Sequence, residues 1–122
     1  MSRVGQEVRL YKWDDVPLET ISEVFARKIV WGEREMVAQI FMKKGCVVPM
    51  HNHEAEQMTQ VFTGALRFVI AGEEIIVRPG EILRIPSWVE HSATALEDTM
   101  EVDIFSPIRR DWLDKTDNYL RR

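Results

Sequence analysis

A single all-β domain, built as a sandwich or a barrel, is what this 122-residue sequence predicts. Three observations carry that expectation. Short runs rich in Val, Ile, Phe and Met recur along the chain, and these residue types fit a pleated, half-buried surface. Glycine and proline fall between the runs. No long stretch carries the 3.6-residue period of an amphipathic helix. In order, the runs are 23–31 (EVFARKIVW), 36–42 (MVAQIFM), 61–62, 65–70 (ALRFVI), 74–77, 82–85 and 101–105. Gly32, Gly45, Gly64, Gly72 and the Pro79-Gly80 pair separate them, where tight turns are expected. Helical signals are short. Asp14-Asp15 ahead of Pro17 can start one helical turn, and 111–120 can form a C-terminal helix or tail.

Composition narrows the function. A chain of this length buries roughly two-thirds of its unfolded surface and needs no disulfide staple. Hydrophobic residues at 45% and charged residues at 30% are those of a globular domain. Sixteen Lys and Arg against 20 Asp and Glu give a net charge of -4, which disfavours a nucleic-acid partner. The one cysteine, Cys46, can close no disulfide within the chain and reads as a small buried hydrophobe. Residues 1–13 are too polar for a signal-peptide core, and no apolar run approaches a membrane span. A cytoplasmic protein with no membrane partner is expected. Arg27, Lys28, Lys43 and Lys44 read as solvated strand ends, and the four tryptophans, scattered as they are, read as packing residues.

The three histidines, His51, His53 and His91, are the chemical signal. His51 and His53 stand at i, i+2, which on a strand puts both imidazoles on one face, where they can converge on a metal ion. Alone, such a pair is a weak signal, and a lone histidine is more often a satisfied core or surface residue. Context sharpens it: Gly45-x5-His51-x-His53-x3-Gln57-x6-Gly64, then Gly80-x5-Pro86-x4-His91.

At these residues the chain resembles the cupin superfamily, whose two motifs read G-x5-H-x-H-x3,4-E-x6-G and G-x5-P-x-G-x2-H-x3-N. The first matches at both glycines and both histidines, with Gln57 where glutamate is usual. The second matches at Gly80, Pro86 and His91, while Trp88 replaces its second glycine and Ala95 its asparagine. The resemblance implies a cupin-type jelly-roll barrel with its core at about 36–105, N-terminal strands within 1–35 and a tail over 106–122. It implies a divalent transition metal (nickel, zinc, iron or manganese) on His51, His53, Gln57 and His91, and a homodimer. An amide ligand in place of a carboxylate leaves the ion's full charge, which favours a Lewis-acid role. Glu54 and Glu56 lie nearby, but only Gln57 keeps the spacing to Gly64, and the glutamates read as solvated loop charges. Imidazole binds all four metals, so their identity stays open.

A second cluster closes the barrel segment. Alternation over 101–105 puts Glu101, Asp103 and Phe105 on one face and Val102 and Ile104 on the other. With Val102 and Ile104 in the apolar part of the barrel, Asp103 and Phe105 share a face that lines a cavity. Arg109 follows Ser106-Pro107. The bland reading is an edge strand with a surface Asp and Arg. With the metal motif, the run D-x-F-S-P-x-R resembles a branch of small cupins related to the pectin-degradation protein KdgF. That resemblance implies linearisation of a 4,5-unsaturated uronate, with Asp103 as general acid/base, Phe105 packed on the substrate and Arg109 holding its carboxylate. Trp88 is expected to add an apolar wall. Two other readings use the same histidines: a metal-dependent dioxygenase, and a small-molecule sensor without turnover. The tail can dock on its own barrel or on a neighbour's.

Overall fold

The structure is a computed structural model that describes residues 7–121; the part of the N-terminal segment over 1–6 lies outside them. After a 3-10 turn at Trp13–Asp15 come β1 (Glu19–Thr20), β2 (Phe25–Trp31), β3 (Met36–Met42), β4 (Val47–His51) and β5 (Glu56–Thr63). Then follow β6 (Leu66–Ile70), β7 (Glu73–Val77), β8 (Ile82–Ile85), β9 (His91–Ala95), β10 (Thr99–Ser106) and a short helix, α1 (Arg110–Asp114). The strands make two antiparallel sheets, one ordered β1-β2-β3-β10-β5-β8 and the other β4-β9-β6-β7. This is the all-β jelly roll that the sequence predicts.

Strict alternation builds the core. Along β3, Met36, Ala38, Ile40 and Met42 are buried while Val37, Gln39 and Phe41 are only partly so. Val61, Leu66, Phe68, Val77, Ile85, Ala93 and Ala95 meet them from the other strands. Strand β10 corrects one expectation. Its inward row is Glu101, Asp103 and Phe105, all buried, and Ile104 points outward, 46% exposed. The apolar pair therefore covers the outside of the six-stranded sheet. Asp103 turns inward opposite the polar Thr59 of β5, whereas Glu101 lies opposite Val61 and its buried Oε2 has no partner among the described residues.

Gly64 shows why the first motif ends on glycine. Its φ is +87, and a Cβ there would lie 2.7 Å from Thr99 Cα and closer still to Asp98 O. The chain can pass from β5 to β6 beside the start of β10 only without a side chain.

The tail docks on its own barrel. Helix α1 stops at Lys115, whose φ of 59 is left-handed, so the predicted 111–120 helix is one short turn. Beyond it, Asp117 accepts from Arg27 Nη1 at 2.7 Å and from Arg121 Nε at 2.8 Å, and Glu19 accepts from Arg27 Nε at 2.7 Å. Arg27 is fully buried, with its guanidinium carbon 4.2 Å over the Trp112 ring. It is thus no solvated strand end. Its alternation on β2 with buried Phe25 puts it inward, and Asp117 supplies the counter-charge. No helix of the described residues is long and apolar enough to cross a membrane.

Candidate functional site

Both sheets contribute to one polar pocket. His51 and His91 are register partners on β4 and β9. His53 sits in the short link from β4 to β5. Gln57 and Thr59 point inward from β5, and Asp103 and Phe105 stand opposite them on β10, Asp103 beside Thr59 and Phe105 beside Gln57. The three imidazoles offer nitrogen atoms that all lie within 4.8 Å of one another.

Hydrogen bonds fix which nitrogens those are. The Nδ1–H of His51 donates to Pro49 O at 2.7 Å, that of His53 to Ala55 O at 2.8 Å, and that of His91 to Val89 O at 2.9 Å. Carbonyls only accept, so each neutral ring carries its proton on Nδ1 and keeps a lone pair on Nε2. Among the described residues, the buried His91 Nε2 has no partner. Burial also keeps the rings neutral. It lowers His51 to about 3, against the Pro49 carbonyl and with help from the charges of His91, Arg109 and His53. His53 falls to about 4, again chiefly by burial and then by Arg109, and His91 is lowered for the same first reason.

Gln57 is oriented from the other side. Thr59 donates its hydroxyl to Asp103 Oδ1 at 2.6 Å, so its oxygen is free to accept from Gln57 Nε2 at 2.9 Å. That leaves Gln57 Oε1 facing His53 Nε2 at 3.1 Å. Both atoms bear lone pairs, and no hydrogen bond can join them while His53 Nδ1 holds the proton. Two ligand atoms about 2.1 Å from one ion and at right angles to each other are about 3 Å apart. The orphaned His91 Nε2, the shared tautomer and this acceptor–acceptor contact all fit a metal ion held by His51, His53, Gln57 and His91. Glu54 is exposed, and Glu56 is engaged by Arg84 at 2.6 Å.

Next to these donors lies an acid pair. Burial pushes Asp103 up to about 6, while the Thr59 hydroxyl, Glu101, the Arg109 charge and Gln57 pull it back down. Glu101 is raised well above its usual value by burial and by the Asp103 charge, which favours its protonated form. Sequence reasoning put Glu101 on the inner face but gave it no role. Its i−2 position from Asp103 was the available signal, as the i+2 position from Gln57 was for Thr59.

The tail completes the pocket. Arg109 is buried and donates to Asp111 through Nε at 3.0 Å and Nη2 at 2.8 Å. Its Nη2 also donates to the Tyr119 hydroxyl at 2.6 Å. The Tyr119 ring stacks on His51, with centroids 4.3 Å apart and planes 18° from parallel. Phe105 meets His53 edge-on at 5.7 Å and Trp112 at 5.1 Å. Nothing in the local sequence marked Tyr119, because its stacking partner, His51, lies far from it in the chain. Trp88 is not where it was expected. Its side chain is 62% exposed and does not line the cavity, and its backbone N–H instead donates to His53 O at 2.8 Å. The φ of +67 at Trp88 shows that the motif's glycine position keeps its left-handed backbone. That conformation turns the indole away from the cavity. Cys46 is buried and unpaired, and burial raises its thiol.

A small antiparallel barrel with three convergent imidazoles between its sheets is the architecture of a metal-site jelly roll, and comparison places it more closely. The cupin domain family matches residues 38–106. The pectin degradation protein KdgF of Dickeya dadantii is 30% identical over 103 residues, covering 82% of this chain and 94% of that protein. The structure of KdgF from a Halomonas species superposes with a TM-score of 0.79 at 30% identity, over 85% of this chain and 99% of that one. An RmlC-like cupin from Shewanella frigidimarina gives a TM-score of 0.81 at 23% identity, over 88% and 98% of the two chains, a likeness of fold. This chain belongs to the cupin family, in its KdgF-like branch.

Proposed function

We propose that this protein is a metal-dependent enzyme that linearises a 4,5-unsaturated uronate to its 4-deoxy-5-keto form. The observation that supports it best is the hydrogen-bonded line from Gln57 through Thr59 to Asp103, which sets a near-neutral carboxylate beside a three-histidine, one-glutamine donor set. Likeness to two KdgF proteins supports a sugar acid as the substrate class.

Such a substrate is a hemiacetal at C1 and an enol ether at C5, conjugated to its carboxylate. A divalent ion on His51, His53, Gln57 and His91 would supply Lewis-acid polarisation of substrate oxygens. Asp103 as carboxylate takes the anomeric hydroxyl proton while the bond from C1 to the ring oxygen breaks. The acid so formed gives a proton to C4 as the enol becomes the 5-ketone. One proton leaves O1 and one arrives at C4, so the reaction is an isomerisation that one carboxylate can serve. Burial beside Asp103 favours the protonated form of Glu101, which keeps a second negative charge away from Asp103. Arg109 pairs with the substrate carboxylate through Nη1, the nitrogen its internal hydrogen bonds leave open. Phe105 packs against the sugar. The cavity is about 40 Å³, room for a water or two, so binding of a sugar acid requires lining side chains to move.

We further propose that it acts in the cytoplasm as a homodimer. The partly exposed Met58, Phe62 and Ile104 on the outer face of the six-stranded sheet support the dimer, and sedimentation tests it. The decisive experiment is turnover of 4,5-unsaturated galacturonate by metal-loaded and chelator-stripped protein, followed by loss of the enol-ether absorbance. Metal-dependent acceleration above the spontaneous rate is expected. No acceleration by fully loaded protein removes this substrate.

A further inference from the structure

Of the tail side chains that line the cavity, Tyr119 is the one that stacks on a histidine of the candidate metal centre. We propose that Tyr119 is a positioning residue that holds His51 and Arg109 in their working orientations. Its ring stacks on His51, parallel to within 18°, which limits rotation of the imidazole about the axis set by the Nδ1–H bond to Pro49 O. Its hydroxyl accepts from Arg109 Nη2 at 2.6 Å and from Trp112 Nε1 at 3.1 Å. With Asp111 on Nε and Nη2, the guanidinium is clamped along one edge, and Nη1 has no hydrogen-bond partner among the described residues. Arg109 and Tyr119 both line the cavity. A tyrosine that merely fills space needs one partner for its hydroxyl. Here its contacts include a ring of the candidate metal centre, Trp112 and Arg109, the only arginine lining the cavity among the described residues.

The tail gives Tyr119 a rigid seat. Two residues before it, Asp117 is fully buried against the fully buried Arg27, and Arg121 bridges Asp117 and Glu19 at 2.8 and 3.1 Å. Arg27 in turn lies over Trp112, which donates to the Tyr119 hydroxyl. Residues far apart in sequence thus converge on the position of one phenol ring.

Two variants of the full chain separate the roles. Tyr119→Phe keeps the ring and loses the hydroxyl; Tyr119→Leu loses both. Nickel affinity is measured by competition with a chromophoric chelator, and KM and kcat on the unsaturated uronate. Thermal melting confirms that both variants fold. Tyr119→Phe is expected to bind nickel as the unsubstituted protein does and to raise KM about five- to tenfold with kcat within about twofold. Tyr119→Leu is expected to raise KM likewise and to weaken nickel binding by about threefold or more. An unchanged KM in Tyr119→Phe, or an unchanged nickel affinity in Tyr119→Leu, overturns the proposal. The KM readout rests on the uronate reading, whereas the nickel readout does not. If the unsubstituted protein turns over no uronate, that reading fails by itself and the nickel comparison alone decides for or against Tyr119.

Discussion

Asp103 gains its character from burial more than from its neighbours' charge. Desolvation raises it to about 6, and the hydrogen bond from Thr59 and the Arg109 charge stop it rising further. A base must be ionised, so the active fraction falls as pH drops through that value. We expect kcat/KM to decline by about tenfold per unit below pH ~6, and a profile flat down to pH 4.5 would exclude Asp103 as the base. Asp103→Asn keeps the size and should bind nickel normally while losing at least about a hundredfold in kcat. The histidines make the opposite case. From the free imidazole value of about 6.5, protons should displace a metal as soon as pH falls below neutrality. Burial lowers His51 to about 3 and His53 to about 4, so the proton is a weak competitor until far lower pH. Metal affinity of the folded protein should therefore change less than about tenfold between pH 7 and pH 5. A steep loss over that interval would mean that the rings are solvated. His51→Ala should abolish high-affinity binding at either pH.

At the scale of the element, two motif positions with the same backbone handedness predict opposite outcomes. Gly64 is left-handed and crowded, so Gly64→Ala meets both the conformational cost and a clash with Thr99, and should lose more than about 2 kcal/mol of unfolding free energy. Trp88 is left-handed and exposed, so Trp88→Gly removes about 1 kcal/mol of backbone cost and loses little packing. Its urea midpoint should be equal or higher; a drop equivalent to more than about 1 kcal/mol would show that the indole packs on something in solution. These elements also show what the sequence made legible. Strand β3 was readable to the residue, because Met, Ala, Ile and Met alternate with outward residues. Strand β9 was not, since His-Ser-Ala-Thr-Ala has too little apolar bulk to register as a run, although Ala93 and Ala95 are buried. The reading of 61–62 caught only the apolar end of β5, whose inward row begins with Gln57 and Thr59. Where polar residues turn inward to make a site, the hydrophobic pattern that reveals strands is lost. The grouping of the three histidines was legible in their motif spacing; alternation placed Glu101 inward without giving it a role, and Thr59 and Tyr119 became visible only through their contacts in the folded chain.

For the whole molecule, the question is what joins the two ends of the chain to the barrel. Arg27 on β2, Glu19 on β1 and Asp117 and Arg121 in the tail form one charge network closed over Trp112. Its members are separated by up to 102 positions in sequence, so the network forms only once the barrel has closed. Its worth is not the sum of its ion pairs. Desolvating Arg27 and Asp117 is costly, and their attraction offsets that cost only while both are present. Removing one partner is thus far worse than removing both. Asp117→Ala leaves a guanidinium that is 0% exposed with Glu19 as its remaining acidic partner and should cost about 3 kcal/mol, the low end for breaking a buried pair. The double change Arg27→Met with Asp117→Leu puts apolar volume where two charges stood, and should cost clearly less than that single change. Urea unfolding of the three proteins at pH 7 measures this. If Asp117→Ala costs under about 1 kcal/mol, the pair is effectively solvent-screened and the tail is free to leave the barrel. If the cost is large and the double variant recovers most of it, the tail is fastened by charge matching inside the core. In that case the double variant should keep Tyr119 stacked on His51, and its nickel affinity should stay close to that of the unsubstituted protein.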